Sequence, residues 1–296
     1  MLRPMTPPRT FPLLPIVAVV GAMISLAVGT SIAKSIFPAL GAAGVTFLRA
    51  TTAAIILAAV WRPWRRAVAR ADWPTLLAYG VSIGGMNLLF YEAVARVPFG
   101  IAVAFEFCGP LAVALFASRK LLDFAWVALA VLGLTLLLPI GRNVGRLDPI
   151  GVAFALGAGT CWAIYILIGA RAGRRLHGGH ATAIGMLLAA LVVAPFGIAS
   201  AGPALLAPSP LAIGVAVGLM SGAIPFSLEM YALSRLRRHT FSVLVSMEPA
   251  LAALAGWLLL AERLTPLQTL AICSVVTSSI GSAANARRDP PPPLVD

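Results

Sequence analysis

ARVPFGIAVAFEFCGPLAVALFASRK, residues 95 to 120, is the stretch from which this chain is best read. From Val97 to Ala117 it holds only apolar and small residues apart from one acid, and roughly twenty such residues suffice for a helix to cross a bilayer. Glu106 stands near the middle, and Pro110 follows four residues later. Proline has no N–H, so the carbonyl of its i−4 partner, Glu106, loses its helical bond. An ionisable side chain and a free backbone acceptor at one depth need a polar cavity beside them, because lipid satisfies neither. A span that served only as an anchor would carry neither group.

The surrounding chain is of the same kind. Of its 296 residues, 60% are hydrophobic and 11% charged, against roughly a quarter charged in soluble domains, and the mean hydropathy is +0.95. This composition is that of a polytopic membrane protein. A net charge of +12 would suit a nucleic-acid partner only as a basic face on a soluble fold. Here the arginines sit between apolar runs, so no nucleic acid is expected. Cys108, Cys161 and Cys273 all fall in apolar segments without a CxxC pair, which indicates neither a disulfide framework nor a metal site. His177 and His180 flank Gly178 and Gly179 and read as a solvated turn rather than as two metal ligands. Phe11 to Ala33 is uncharged for 23 residues, longer than the roughly 7 to 15 of a signal-peptide core, and reads as the first span.

Charges and prolines divide the chain into ten spans: Phe11–Ala33, Gly41–Val60, Trp73–Tyr91, Val97–Ala117, Phe124–Ile140, Pro149–Ala170, Ala181–Ser200, Leu211–Leu228, Phe241–Leu260 and Leu264–Ala284. An even number puts both termini on one side. With that side cytoplasmic, sixteen of the 22 basic residues lie inside: Arg3, Arg9, Arg62, Arg65, Arg66, Arg70, Arg119, Lys120, Arg171, Arg174, Arg175, Arg235, Arg237, Arg238, Arg287 and Arg288. Only Arg96, Arg142, Arg146 and Arg263 fall in outside loops. The positive-inside bias therefore predicts cytoplasmic termini.

An offset of 139 residues brings Arg96 onto Arg235, Pro110 onto Pro249, Asp123 onto Glu262 and Leu115 onto Leu254. Each repeat would hold five spans, an odd number, so the halves must be inverted in the membrane. Loop charges agree. Trp61–Arg70 carries four arginines on the inside, and its counterpart on the outside, Ser200–Ser209, carries none. The expected fold is an all-α membrane protein of ten transmembrane helices in two inverted five-helix repeats, residues 1–148 and 149–286, with a disordered cytoplasmic tail at 287–296. Inverted repeats are a common construction of secondary transporters, with the site at the midplane between the halves. Gly80 and Gly84, and Gly214, Gly218 and Gly222, are spaced to let helices approach closely.

Few ionisable groups lie within the spans. Glu106 and Glu248, the latter immediately before Pro249, approach the pseudo-symmetry centre from opposite halves. A carboxylate there can exchange a proton or pair with an ammonium, or else form a structural ion pair. Arg49 cannot shed its charge, so its partner is either a carboxylate-bearing solute or one of Glu92, Glu106 and Glu229. Lys34 lies near enough to an interface to snorkel. Asn87, Tyr91, Trp162, Tyr165 and Tyr231 are the polar or amphipathic residues of the spans expected to line a cavity. Glu92 and Glu229 read as partners of Arg96 and Arg235. Pro110 and Pro249 supply helix irregularity. There is no GxSxG, HExxH, Walker loop or dinucleotide fingerprint, so an enzyme is not expected.

GGMN at 84–87, VPFGIAVAFEFCGPLAVALF at 97–116, CWAIYIL at 161–167, LEMYAL at 228–233 and SMEPALAA at 246–253 closely resemble the bacterial threonine/homoserine exporters. That group belongs to the EamA branch of the drug/metabolite transporter superfamily. The resemblance implies a ten-helix carrier of the bacterial inner membrane that exports threonine and homoserine by exchange with protons, without a cofactor. Implied partners are small amino acids, protons and the lipid bilayer, with a homodimer allowed for. The chain departs from the family pattern in having Arg237 where a proline is expected and Cys108 where a hydroxyl residue is expected. Two other readings stand beside this one: an exporter of another metabolite or drug-like amine, and a membrane scaffold that transports nothing.

Overall fold

The computed structural model describes residues 13–65, 67–117, 121–137, 147–175, 178–233, 244–245 and 247–286. The basic residues Arg3, Arg9, Arg66, Arg119, Lys120, Arg142, Arg146, Arg235, Arg237, Arg238, Arg287 and Arg288 lie outside them, as do His177 and the tail 287–296. Among the described residues there are helices and short turns and no strand.

The helices are α1 (Leu13–Ser35), α2 (Phe37–Trp61), α3 (Trp73–Val94), α4 (Phe99–Glu106), α5 (Cys108–Ala117), α6 (Leu121–Leu137), α7 (Pro149–Arg175), α8 (Gly178–Ala201), α9 (Pro208–Gly218), α10 (Ile224–Leu233), α11 (Glu248–Leu260) and α12 (Pro266–Ala286). Among the described residues, five segments are long and apolar enough to cross a membrane: Leu13–Ser35, Phe37–Trp61, Pro149–Gly169, Gly179–Leu206 and Pro208–Glu229. α3 is 22 residues long yet is not among these; its composition includes Ser82, Asn87 and Glu92. Large apolar side chains such as Leu14, Val17, Leu191, Phe196 and Trp257 point outward, each more than half exposed, as a hydrocarbon solvent permits and water does not.

Helices from before residue 148 find their partners after it. α1 lies on α10 and α11, α2 on α8 and α9, α3 on α7 and α8, α4 on α11 and α7, and α6 on α12. Small residues make these approaches possible. Gly80 and Gly84 of α3 face Leu188, Ala189 and Val192 of α8, and Gly214, Gly218 and Gly222 face Leu48, Thr52 and Ala53 of α2. A side chain at any of these glycines would collide with the opposing helix.

Three interruptions shape the bundle. Within α2, Gly41 takes φ +68°, a left-handed conformation that glycine adopts without the steric cost of a Cβ. The kink leaves the Leu40 carbonyl to accept a hydrogen bond from Ser200 Oγ at 3.2 Å. The second break is at Phe107, between α4 and α5. The third is a π-helical turn, Leu219–Ala223, between α9 and α10.

Candidate functional site

α4 and α11 run antiparallel, with Gly100 against Ala253 at one end and Glu106 within electrostatic reach of Glu248 at the other. Glu106 closes α4 and Glu248 opens α11, so two acids on one pair of helices meet where both helices are interrupted. Proline is the cause in the first case. Pro110 cannot donate to the Glu106 carbonyl, the helix ends there, and α5 restarts with Leu111 N–H donating to Phe107 O at 3.2 Å. The freed carbonyl faces Gly159 of α7, where a methyl group would come within 2.5 Å of the Glu106 oxygen. Gly109 lies against the Gly159 carbonyl in turn. Trp162, one turn further along α7, packs edge-on against Phe107 with ring centroids 5.1 Å apart.

The Glu106 side chain is buried, at 7% exposure. Among the described residues it has neither an ion pair nor a hydrogen bond; the ion pairs there are Lys34–Glu262, Arg96–Glu92 and Arg96–Asp148. Its charged surroundings are Glu248 and Arg49, and the thiol of Cys161 stands nearby. Glu229 is in turn within electrostatic reach of Glu248.

Arg49 is buried in α2, at 5% exposure, and its partners are all neutral. Nε donates to Ser221 Oγ at 2.8 Å, Nη2 donates to the Ser221 carbonyl at 2.6 Å, and Nη1 donates to Asn87 Oδ1. Asn87 is oriented by its own amide donating to Ile83 O at 2.8 Å. The guanidinium carbon lies 5.4 Å from the centroid of the Tyr91 ring, close enough for a cation–π attraction. Three of its five N–H groups are thus satisfied among the described residues, which leaves donors and a full positive charge for a further acceptor.

Ser221 was not singled out in the sequence, although a signal was present. Pro225 follows it by four residues, the spacing of Glu106 and Pro110, so the Ser221 carbonyl also loses its helical donor. The π-turn opens at that point, and Arg49 takes the freed carbonyl.

The sequence-derived candidates separate into groups. Arg49, Asn87 and Tyr91 form one cluster with Ser221, while Glu106, Glu248, Pro110 and Trp162 surround the α4 break, and Pro249 sits in the first turn of α11. Tyr165 stands apart, stacked on Tyr79 with centroids 5.2 Å away and closer to Glu229. Of the acids considered for Arg49, none is bonded to it. Glu92 pairs with Arg96 through its carboxylate and its carbonyl. Arg235, the proposed partner of Glu229, lies outside the described residues. Lys34 does not snorkel freely: its Nζ is 2.5 Å from Glu262 Oε1.

A buried acid and a buried base that, among the described residues, form no ion pair can hold the two ends of a zwitterion. Comparison with known proteins is consistent with that chemistry. The EamA-like transporter family model matches residues 149–283. The threonine/homoserine exporter RhtA of Escherichia coli (strain K12) is 54% identical over 276 residues, covering 93% of each chain. The threonine/homoserine exporter RhtA of Salmonella typhimurium (strain SL1344) is 52% identical over 283 residues, 96% of each chain. A solved crystal structure, 19% identical, matches with a TM-score of 0.60 over 93% of this chain and 96% of the other, a likeness of fold alone. With more than half of its residues shared along nearly the full length of these exporters, this multi-pass membrane protein belongs to the EamA-like transporter family.

Proposed function

We propose that the protein is a secondary exporter of threonine and homoserine in the bacterial inner membrane. Its mechanism uses Glu106 to hold the cargo ammonium and Arg49 to hold its carboxylate. The observation that carries this reading is Glu106, buried without a hydrogen bond or ion pair among the described residues while Arg49 is fixed nearby by neutral groups. An ionised carboxylate at membrane depth costs several kcal/mol unless something compensates it. An amino acid brings both compensating charges at once, and a proton on the acid serves when the cargo has left. Exchange of the two gives proton antiport without a cofactor.

Ten transmembrane helices in two inverted repeats, with both termini in the cytoplasm, complete the proposal. Supporting it, the helix break at Phe107 and the start of α11 at Glu248 fall within two residues of the 139-residue offset. The main partners of α2, α3, α4 and α6 come from the opposite half of the chain, which suits movement of one half against the other.

The test is efflux from threonine-loaded cells and counterflow in proteoliposomes. Glu106→Gln keeps the shape and removes the charge, and is expected to abolish net efflux while the protein remains in the membrane. Undiminished efflux removes Glu106 from the mechanism. Strong competition by amines lacking a carboxylate would reassign the cargo to drug-like cations, and no flux of any amino acid would favour a scaffold.

A further inference from the structure

At the end of α4 opposite Glu106, one carboxylate joins three separated elements. Glu262, in the turn between α11 and α12, receives Lys34 Nζ of α1 on Oε1 at 2.5 Å and the backbone N–H of Phe99, the first residue of α4, on Oε2 at 2.8 Å. The turn is built to present it. Ala261 is left-handed at φ +54°, Glu262 N–H donates to Gly256 O at 3.0 Å, and Gly256 leaves room for the carboxylate, whose Oε2 a methyl there would approach to 2.5 Å.

Between this contact and Glu106 lies a dry layer. Val97, Phe99, Ile101 and Phe105 are all buried and belong to one apolar cluster that Phe37, Phe90, Leu260 and Leu264 pack against. About two turns of helix, roughly 10 Å, separate Phe99 from Glu106. No charged solute can pass such a layer without parting α4 from its neighbours, among them Leu260 and Leu264 on either side of Glu262, the residue that ties this turn to α4 and to α1. The tie itself is wet, with 27% of the Lys34 side chain and 13% of the Glu262 side chain exposed. Water can compete for it, so it is strong enough to bias a conformation and weak enough to open.

We infer that Lys34, Glu262 and the Phe99 N–H form a releasable latch that closes this end of the protein over Glu106 and opens once in each transport cycle. The inference rests on the transport reading, since a scaffold has no cycle, but it does not depend on which amine or amino acid is carried. The halves of the latch come from opposite ends of the sequence, so its opening is also a separation of the two halves.

Two measurements on the full-length protein in vesicles test it, in a background with Cys108, Cys161 and Cys273 replaced by alanine. In the first, Lys34→Cys and Glu262→Cys are joined by a short bifunctional thiosulfonate. Threonine counterflow is expected to stop and to return on reduction; counterflow at the uncross-linked rate overturns the latch. In the second, Ile101→Cys reports the dry layer through labelling by a membrane-impermeant thiol reagent added on the side of Lys34. Glu262→Gln keeps an acceptor for Phe99 and loses the ion pair, and is expected to raise the labelling rate about fivefold, the factor that corresponds to a partly exposed ion pair. An unchanged rate overturns the latch. Absence of threonine flux in the uncross-linked protein would overturn the cargo and not the latch, which the labelling arm then decides.

Discussion

Glu106 and Arg49, the two charged groups of the proposed site, are held in different ways. Arg49 is tied to Ser221 and Asn87 by three hydrogen bonds, so substitutions around it act on stability as well as on flux. A hydrogen bond to a charged group contributes about 1.5 to 3 kcal/mol. Ser221→Ala removes the hydroxyl acceptor and keeps the carbonyl, and should lower the unfolding midpoint in detergent while leaving measurable transport. Arg49→Lys keeps the charge but cannot make the forked contact with Oγ and O of one residue; it should lose both thermal stability and most of the flux. Glu106 has no such bonds to lose among the described residues. Glu106→Gln should therefore leave the unfolding midpoint unchanged or slightly raised while efflux disappears, and a fall in midpoint as large as that of Arg49→Lys would show that the acid is structural. The sequence made Glu106 and Arg49 legible because a charge in an apolar run is rare and expensive. It hid Ser221, since a serine in a helix is ordinary and only its spacing to Pro225 marks it.

Helix breaks and close approaches decide how these residues meet. The junction of α4, α5 and α7 is packed backbone to backbone through Gly109 and Gly159. Gly159→Ala should push α7 off the Glu106 carbonyl, at an overpacking cost of about 1 to 3 kcal/mol, and reduce transport. Gly157→Ala, two residues earlier on α7, meets only the flexible end of Leu89 at 3.2 Å and should cost much less. Paired melting curves of the two variants check this, and equal losses would mean that the backbone contact is not special. Element existence was legible along the chain because long apolar runs leave little choice of structure. Element ends were less so. Gly41 was read as the start of a span, whereas it is a left-handed kink inside α2, whose first turn, from Phe37, was missed. The ion pair from Lys34 to Glu262 was invisible in the sequence for a different reason, since nothing local records which loop of the second half lies over the end of α1.

For the whole molecule, early and late helices interlock, each packing mainly against partners from the other half of the chain. Orientation remains a reading of charge: the arginines that carry it lie at span ends. A green fluorescent protein fused after Asp296 should fluoresce, and alkaline phosphatase fused at the same place should be inactive, if the C-terminus is cytoplasmic. Active phosphatase would reverse the orientation and with it the direction in which the Lys34 end faces. The interlocking also bears on how the protein is born. α1, α2 and α3 enter the membrane with notches at Gly29, Gly44 and Gly80, against which Ser221, Ala201 and Leu188 of later segments pack most closely. A ribosome that has delivered half the chain has delivered only the smaller share of its final contacts between helices. The nascent first half must wait in the bilayer with its notches open, exposed to quality-control proteases, until the last helices arrive to claim them.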